Sequence, residues 1–426
     1  MIPAEPFGEG ETGDQGEGRW RELARQALAR LLRAYGTAQF DLCEDAVQEA
    51  LLQAYQQWPA RFPDDPLGWL IATARRRYAD RARSDARRRD RETRATLLAP
   101  PVAPETVQRD DSLLVLQLCC HPALPRSGQV ALTLRAVAGL TTAQIANVYQ
   151  IPERTIAQRI TRAKRRLGEL DQPLPPPEQA GESITAVLDV LYVMFAEAHH
   201  TTAGAPPRDA DLAAEAIHLA RLLRRSVPES TESTEVTGLL ALMLLTEARH
   251  PARVGPDGRL TSLDEQDRAR WDRDLISEGI RLVEQATPGA APGSYLLQAC
   301  IAALHAEAPD IATTDWDEIL ALYRLLEIVT GHRNPTIALN RIVAQAMVDG
   351  IDVALAGIDA LEADHPGLPR LDAVRAHLLE QAGRAGDAAT AYRRAIAATV
   401  NLAEQHHLRH RLRRLHHLLR LSDAHT

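Results

Sequence analysis

Apolar residues recur every third or fourth position through most of the chain. Runs of strict apolar and polar alternation are hard to find, so the pattern predicts helices throughout and an all-α fold. Between Asp41 and Trp58, Val47, Ala50, Leu51 and Ala54 fall on one side and leave Glu44, Asp45, Gln48 and Glu49 exposed on the other. In the next amphipathic stretch Leu70, Ile71, Ala74 and Tyr78 form an inward stripe, while Arg75, Arg76, Arg81 and Arg83 are predicted to fan outward. Thr141 with Gln144 three residues on has capping-box spacing, and Ile145, Ala146 and Val148 supply the buried side of the short helix behind it. Pro152 then opens a second helix, predicted over Glu153 to Leu170. A short helix, a turn and a longer helix make helix-turn-helix spacing.

Breaks in the pattern divide the chain. Residues 1–18 are rich in Gly and Glu and are predicted to be disordered. Residues 96–112 and the Pro-rich 171–181 read as linkers, which leaves folded units over 19–95, 113–170 and 182–426. A chain of 426 residues with 45% hydrophobic positions supports several ordinary cores and excludes a small disulfide-stapled module. Cys43, Cys119, Cys120 and Cys300 lie in apolar stretches without metal-ligand spacing, so buried thiols are expected rather than disulfides or a metal site. Neither a signal-peptide pattern nor an apolar stretch of membrane-spanning length is found, and a soluble cytoplasmic protein without a membrane partner is expected.

Charge changes the picture, because the net −8 is unevenly divided: residues 1–18 carry −5, residues 19–170 carry +9 and residues 171–426 carry −12. A basic body fused to an acidic one predicts that only the first faces a polyanion. Ten arginines against four acids between Arg75 and Arg94 give a phosphate-binding surface, to which Trp69 and Tyr78 add aromatic faces for unpaired bases. In the second helix of the helix-turn-helix, Arg154, Thr155, Gln158 and Arg159 sit where a recognition helix meets base edges. Arg162, Lys164, Arg165 and Arg166 follow as phosphate contacts.

Together these segments resemble the bacterial RNA polymerase sigma factors of the extracytoplasmic-function class. EDAVQEALLQAY is similar to sigma region 2.2, WLIATARRRYADRAR to regions 2.3 and 2.4, and GLTTAQIANVYQIPERTIAQRITRAKRRL to region 4. The resemblance implies core RNA polymerase and promoter DNA as partners. Asp45, Gln48 and Glu49 would dock on the polymerase. Trp69, Arg75, Arg76, Tyr78, Asp80 and Arg83 would lie along the melted −10 element, and Arg154, Thr155, Gln158 and Arg159 would read the −35 element. No cofactor is implied, because the polymerase performs the chemistry.

The acidic half repeats near its end: YRLLE at Tyr323, IDALE at Ile358 and YRRAI at Tyr392 are 35 and 34 residues apart, with Gly350 and Gly383 before the last two and Ala354 and Ala388 at matching small positions. That is the tetratricopeptide (TPR) period, whose stacked helix pairs present a groove to a protein or peptide partner. The stretches LYVMFAEAHHTTAG and LLALMLLTEARHPARVGPDGRL resemble the subgroup with a fused TPR-like extension, which implies regulation by the extension itself. That subgroup's Asp-Gly-Gly-Ile signature falls at Asp349-Gly350-Ile351, one Gly short. Glu197, His199, His200, Arg249, His250, Asp257, Glu265, Asp267 and Trp271 form a polar set, yet no catalytic spacing or Gly-rich phosphate loop accompanies them, so no enzyme is expected. His199 and His200 are expected to cap a helix or to bind internal carboxylates, and Arg249 to Arg273 to form a salt-bridged loop or partner surface. The rival reading is a ligand-sensing helix-turn-helix regulator, which would need neither the arginine-rich helix nor the acidic one before it.

Overall fold

The structure is a computed structural model that describes residues 13–90, 112–149, 151–170, 180–199, 210–227, 231–253, 255, 261–288, 291–399 and 401–423. Among these residues the secondary structure is helical, without strands. The chain divides into two compact units, 1–198 with 209–222, and 199–208 with 223–426.

In the first unit, α1 (Gly13–Tyr35), α2 (Phe40–Gln57) and α3 (Pro66–Asp90) pack on one another. Helix α1 starts inside the segment expected to be disordered. Trp20 and Trp58, both buried, stack with centroids 4.8 Å apart and anchor this bundle. Next come α4 (Ser112–Cys119), α5 (Arg126–Ala136), α6 (Thr142–Tyr149) and α7 (Glu153–Gly168), with α5 and α6 both packed on α7. The capping box forms as expected: the Thr141 N–H donates to Gln144 Oε1 at 2.8 Å, and the Gln144 N–H to Thr141 Oγ1 at 3.1 Å. Ile156, Ile160, Ala163 and Leu167 bury one stripe of α7.

The unit does not end at the Pro-rich segment. Helix α8 (Ala180–His199) contributes all but its last residue, and α9 (Ala210–Ser226) contributes its residues up to Leu222. Two ion pairs tie these helices to the basic part: the solvent-exposed Arg126 to Asp189 at 2.8 Å, and the nearly inaccessible Arg25 to Glu215. The first unit thus includes residues beyond the linker expected at 171–181, with Glu215 of α9 paired to Arg25 of α1.

The second unit holds α10 (Thr231–Glu247), α11 (His250–Arg253), α12 (Arg273–Ala286), α13 (Ser294–Glu307), α14 (Trp316–Val329), α15 (Pro335–Val348), α16 (Ile351–Asp364), α17 (Leu371–Gln381), α18 (Ala385–Ala398) and α19 (Leu402–Asp423). From α13 onward each helix packs on the next. The repeating segments fall in α14, α16 and α18. Gly350 and Gly383 take φ of +95° and +74°, a conformation that glycine adopts without Cβ strain, and Ala354 and Ala388 are fully buried.

Candidate nucleic-acid interface

Helix α7 presents Arg154, Gln158, Arg162 and Arg165 to solvent, with Thr155 and Arg159 half-buried beside them. The same helix turns Lys164 inward. Its ammonium ion-pairs with Asp41 at 2.7 Å and with Glu44 of α2, and it lies over the Phe40 ring at 5.5 Å. Burial by itself would lower the Lys164 pKa, but the Glu44 charge and the hydrogen bonds to both carboxylates outweigh it, and the net shift is upward. Glu44, expected on the exposed face of α2, is buried: a second cation, Arg135 of α5, lies 3.3 Å from it. Around this cluster Thr37 Oγ1 donates to the Leu167 carbonyl at 3.4 Å, and a Cβ on Gly168 would come within 3.2 Å of the Ala38 backbone. The C-terminal half of α7 is thus docked on the N-terminal part of α2 and the turn before it.

The three candidate polymerase-binding residues of α2 divide. Gln48 is exposed, while Asp45 and Glu49 both ion-pair with Arg81 of α3, the Glu49 contact at 2.6 Å. Arg81 therefore does not fan outward; it braces α3 against α2, and the two carboxylates hold its pKa up against the effect of burial. Arg75, Arg76 and Arg83 are exposed, Arg83 pairing with Asp80 at 2.7 Å. Tyr78 is buried and stacked on Tyr35 at 3.8 Å, so its face is already covered. Trp69 is half-buried, edge-on to Trp58 at 5.6 Å. Sequence reading missed Phe62, an exposed aromatic on the same Trp58 cluster with Arg19 over its ring at 5.9 Å. The distal arginines of the run, from Arg87 to Arg94, lie outside the described side chains.

Elsewhere, His199 pairs with Glu247 at 3.1 Å, the internal carboxylate contact expected of it, whereas His200 and Asp257 lie outside the described residues. Cys43, Cys119 and Cys120 are buried free thiols, and burial pushes the Cys43 thiol up to about 12. Among the described residues no helix is long and apolar enough to cross a membrane, and no cluster of His, Cys, Asp and Glu is placed to hold a metal ion.

A helix-turn-helix whose exposed face is basic, joined to a helical bundle with an arginine-lined helix, defines a DNA-binding protein of transcription. Comparison with known proteins makes the class specific. Residues 21–88 match the model of sigma-70 region 2, residues 118–167 that of sigma-70 region 4, and residues 183–287 a family of unknown function, DUF6596. An uncharacterised protein of Rhizobium meliloti (strain 1021) is 38% identical over 416 residues, covering 92% of this chain and 95% of its own length. The chain belongs to the sigma-70 family as an ECF-type sigma factor with a C-terminal extension, and core RNA polymerase and promoter DNA are the partners this membership implies.

Proposed function

We propose that this protein is an alternative sigma factor that acts in the cytoplasm, directs core RNA polymerase to promoters with their own −10 and −35 elements, and is regulated by its C-terminal extension. The observation that carries the reading is the presence of regions 2 and 4, in order, in one chain. In this reading Gln48, with Asp45 and Glu49 once released from Arg81, meets the polymerase. Arg75, Arg76, Asp80 and Arg83 follow the melted −10 strand, and Trp69 with its neighbour Phe62 offers the aromatic surface that an unstacked base requires. Arg154, Thr155, Gln158 and Arg159 read the −35 duplex, while Arg162 and Arg165 hold phosphates.

The docking of α7 on α2 supports a regulated state. Two elements ~25 base pairs apart are separated by ~85 Å of duplex at 3.4 Å per step. Region 4 clasped to region 2 through Lys164 does not span such a distance, so promoter engagement requires the two regions to part. Glu215 of the extension, paired with Arg25, is part of the same packed unit and gives the extension a hold on it. The remainder of the extension, with its repeat, is read as TPR-like and as the docking place of a protein or peptide partner.

Run-off transcription with purified core polymerase on a promoter library tests the assignment. Transcripts with defined starts are expected; no transcripts and no core binding would leave the ligand-sensing regulator. Binding of a −35 duplex to Lys164→Met tests the clasp. Severalfold tighter binding by the full-length variant is expected, whereas weaker binding would make Lys164 a phosphate contact and remove the clasp.

A further inference from the structure

The second unit carries an open cavity of about 490 Å³, lined by residues of α10 and α11, residues 261–266, and residues of α15 and α17 to α19. Its cationic lining divides in two. Arg370 is neutralised by Glu404 at 3.2 Å, and Arg411 by Glu265 at 2.7 Å and Glu380 at 3.0 Å. Arg249 and Arg253 are different: among the described residues no carboxylate forms an ion pair with either. Arg249 has Gln266 Oε1 at 3.5 Å and the Trp271 ring at 5.6 Å as its neighbours. Within the Arg249 to Arg273 stretch Glu265 is in ion pairs with Arg411 and Arg414, whereas Arg268, the other arginine on Trp271, donates to the His305 carbonyl at 2.7 Å.

The local electrostatics follow. Burial first, then the charges of Arg253 and Arg268, bring the Arg249 guanidinium down to about 10, and burial followed by the Arg370 charge lowers Arg253 against the opposing charge of Glu247. Asp264 on the lining is exposed to solvent and screened accordingly. Ser262, also on the lining, has a buried hydroxyl without a hydrogen-bond partner among the described residues. Half-buried cations that form no ion pair among the described residues, beside a hydroxyl with no partner there, are costly for a fold to keep. They are what an anion would satisfy, because a guanidinium binds carboxylate or phosphate oxygens in pairs. The opposite wall is apolar, formed by Val343, Ala373, Val374, Leu378 and Leu408, and the volume lies in the range of small-molecule sites, roughly 300–1,000 Å³.

We infer that this cavity binds a small organic anion, its carboxylate or phosphate held between Arg249 and Arg253 and near Ser262, its apolar body against the Val343 to Leu408 wall. The inference stands apart from the sigma assignment, since it uses only residues of the second unit; together they would make the extension a receptor for a metabolite.

The test is calorimetric titration of the full-length protein in low-chloride buffer with phenyl phosphate, inorganic phosphate and phenol. Phenyl phosphate is expected to bind more tightly than inorganic phosphate, and phenol not to bind. Arg253→Gln should weaken phenyl phosphate at least tenfold, Arg253→Lys less, and the exposed Arg225→Gln not at all. Arg249→Gln should act like Arg253→Gln, with circular dichroism and the unfolding temperature separating lost affinity from lost fold. Failure of both phosphates to bind the wild type at millimolar concentration, or equal affinity in well-folded Arg253→Gln, would overturn the site. Equal affinity for the two phosphates would overturn the organic body.

Discussion

At the scale of single residues, the buried pair of Arg25 and Glu215 has the largest stake. Arg25 also donates to the Val137 carbonyl at 3.4 Å, while its Nε and Nη2 have no partner among the described residues, where Glu215 is its one ion-pair partner. Removing one member of such a pair costs about 3–5 kcal/mol, because the survivor stays buried and charged. Glu215→Gln is expected to lower the stability of the first unit by that order in denaturant unfolding. The double variant Arg25→Met with Glu215→Leu should recover most of it. His305 gives a pH dependence in the second unit: burial first, then the Arg249 and Arg268 charges, bring it to about 4 from an ordinary value of 6.5. The unfolded chain therefore binds the proton more readily between those values, and stability present above pH 6.5 is lost as pH falls toward 4. The unfolding temperature of the second unit should drop from pH 7 to pH 5 more in the wild type than in His305→Gln. Glu197, in the first unit, has the opposite sign. Burial raises it to about 7, so its contribution turns less favourable as pH rises from 4.5 through 7.

At the scale of elements, helix contacts rest on small residues as much as on large ones. A Cβ on Gly238 of α10 would meet the Leu296 backbone of α13 at 2.6 Å, so the two helices approach as closely as a missing side chain permits. Backbone cannot rotate aside as a side chain can. Gly238→Ala is expected to destabilise the second unit by about 1–3 kcal/mol by forcing these helices apart, despite the gain in helix propensity. An unchanged or raised unfolding temperature would show that α10 can shift. The helix-turn-helix was legible in the sequence down to its capping box, because capping depends on residues three apart. The inward turn of Lys164 was not legible, since it follows from carboxylates on α2, more than a hundred residues away in the chain.

At the scale of the whole molecule, the first unit includes most of α8 and α9, so cutting at the Pro-rich segment cuts through a folded body. A chain of residues 1–175 is expected to expose the apolar surface that α8 and α9 cover and to leave Arg25 unpaired. It should bind hydrophobic dye and unfold at a lower temperature than the first unit of the full chain; an equal unfolding temperature would show that regions 2 and 4 need nothing from the extension.

Periodicity, capping and charge, read along the sequence, determined the helical class, the helix-turn-helix, the basic and acidic halves and the resemblance to sigma regions 2 and 4, because each depends on residues near one another in the chain. The tertiary structure decided which charges are spent inside the fold: Arg81 on Asp45 and Glu49, Lys164 on Asp41 and Glu44, and Arg25 on Glu215. It also decided which charges form no ion pair among the described residues, Arg249 and Arg253 beside a cavity. A surface of one sign reads the same in sequence whether its cations meet DNA or a carboxylate from a distant helix. Only packing, which brings distant residues within a few ångströms, separates the two.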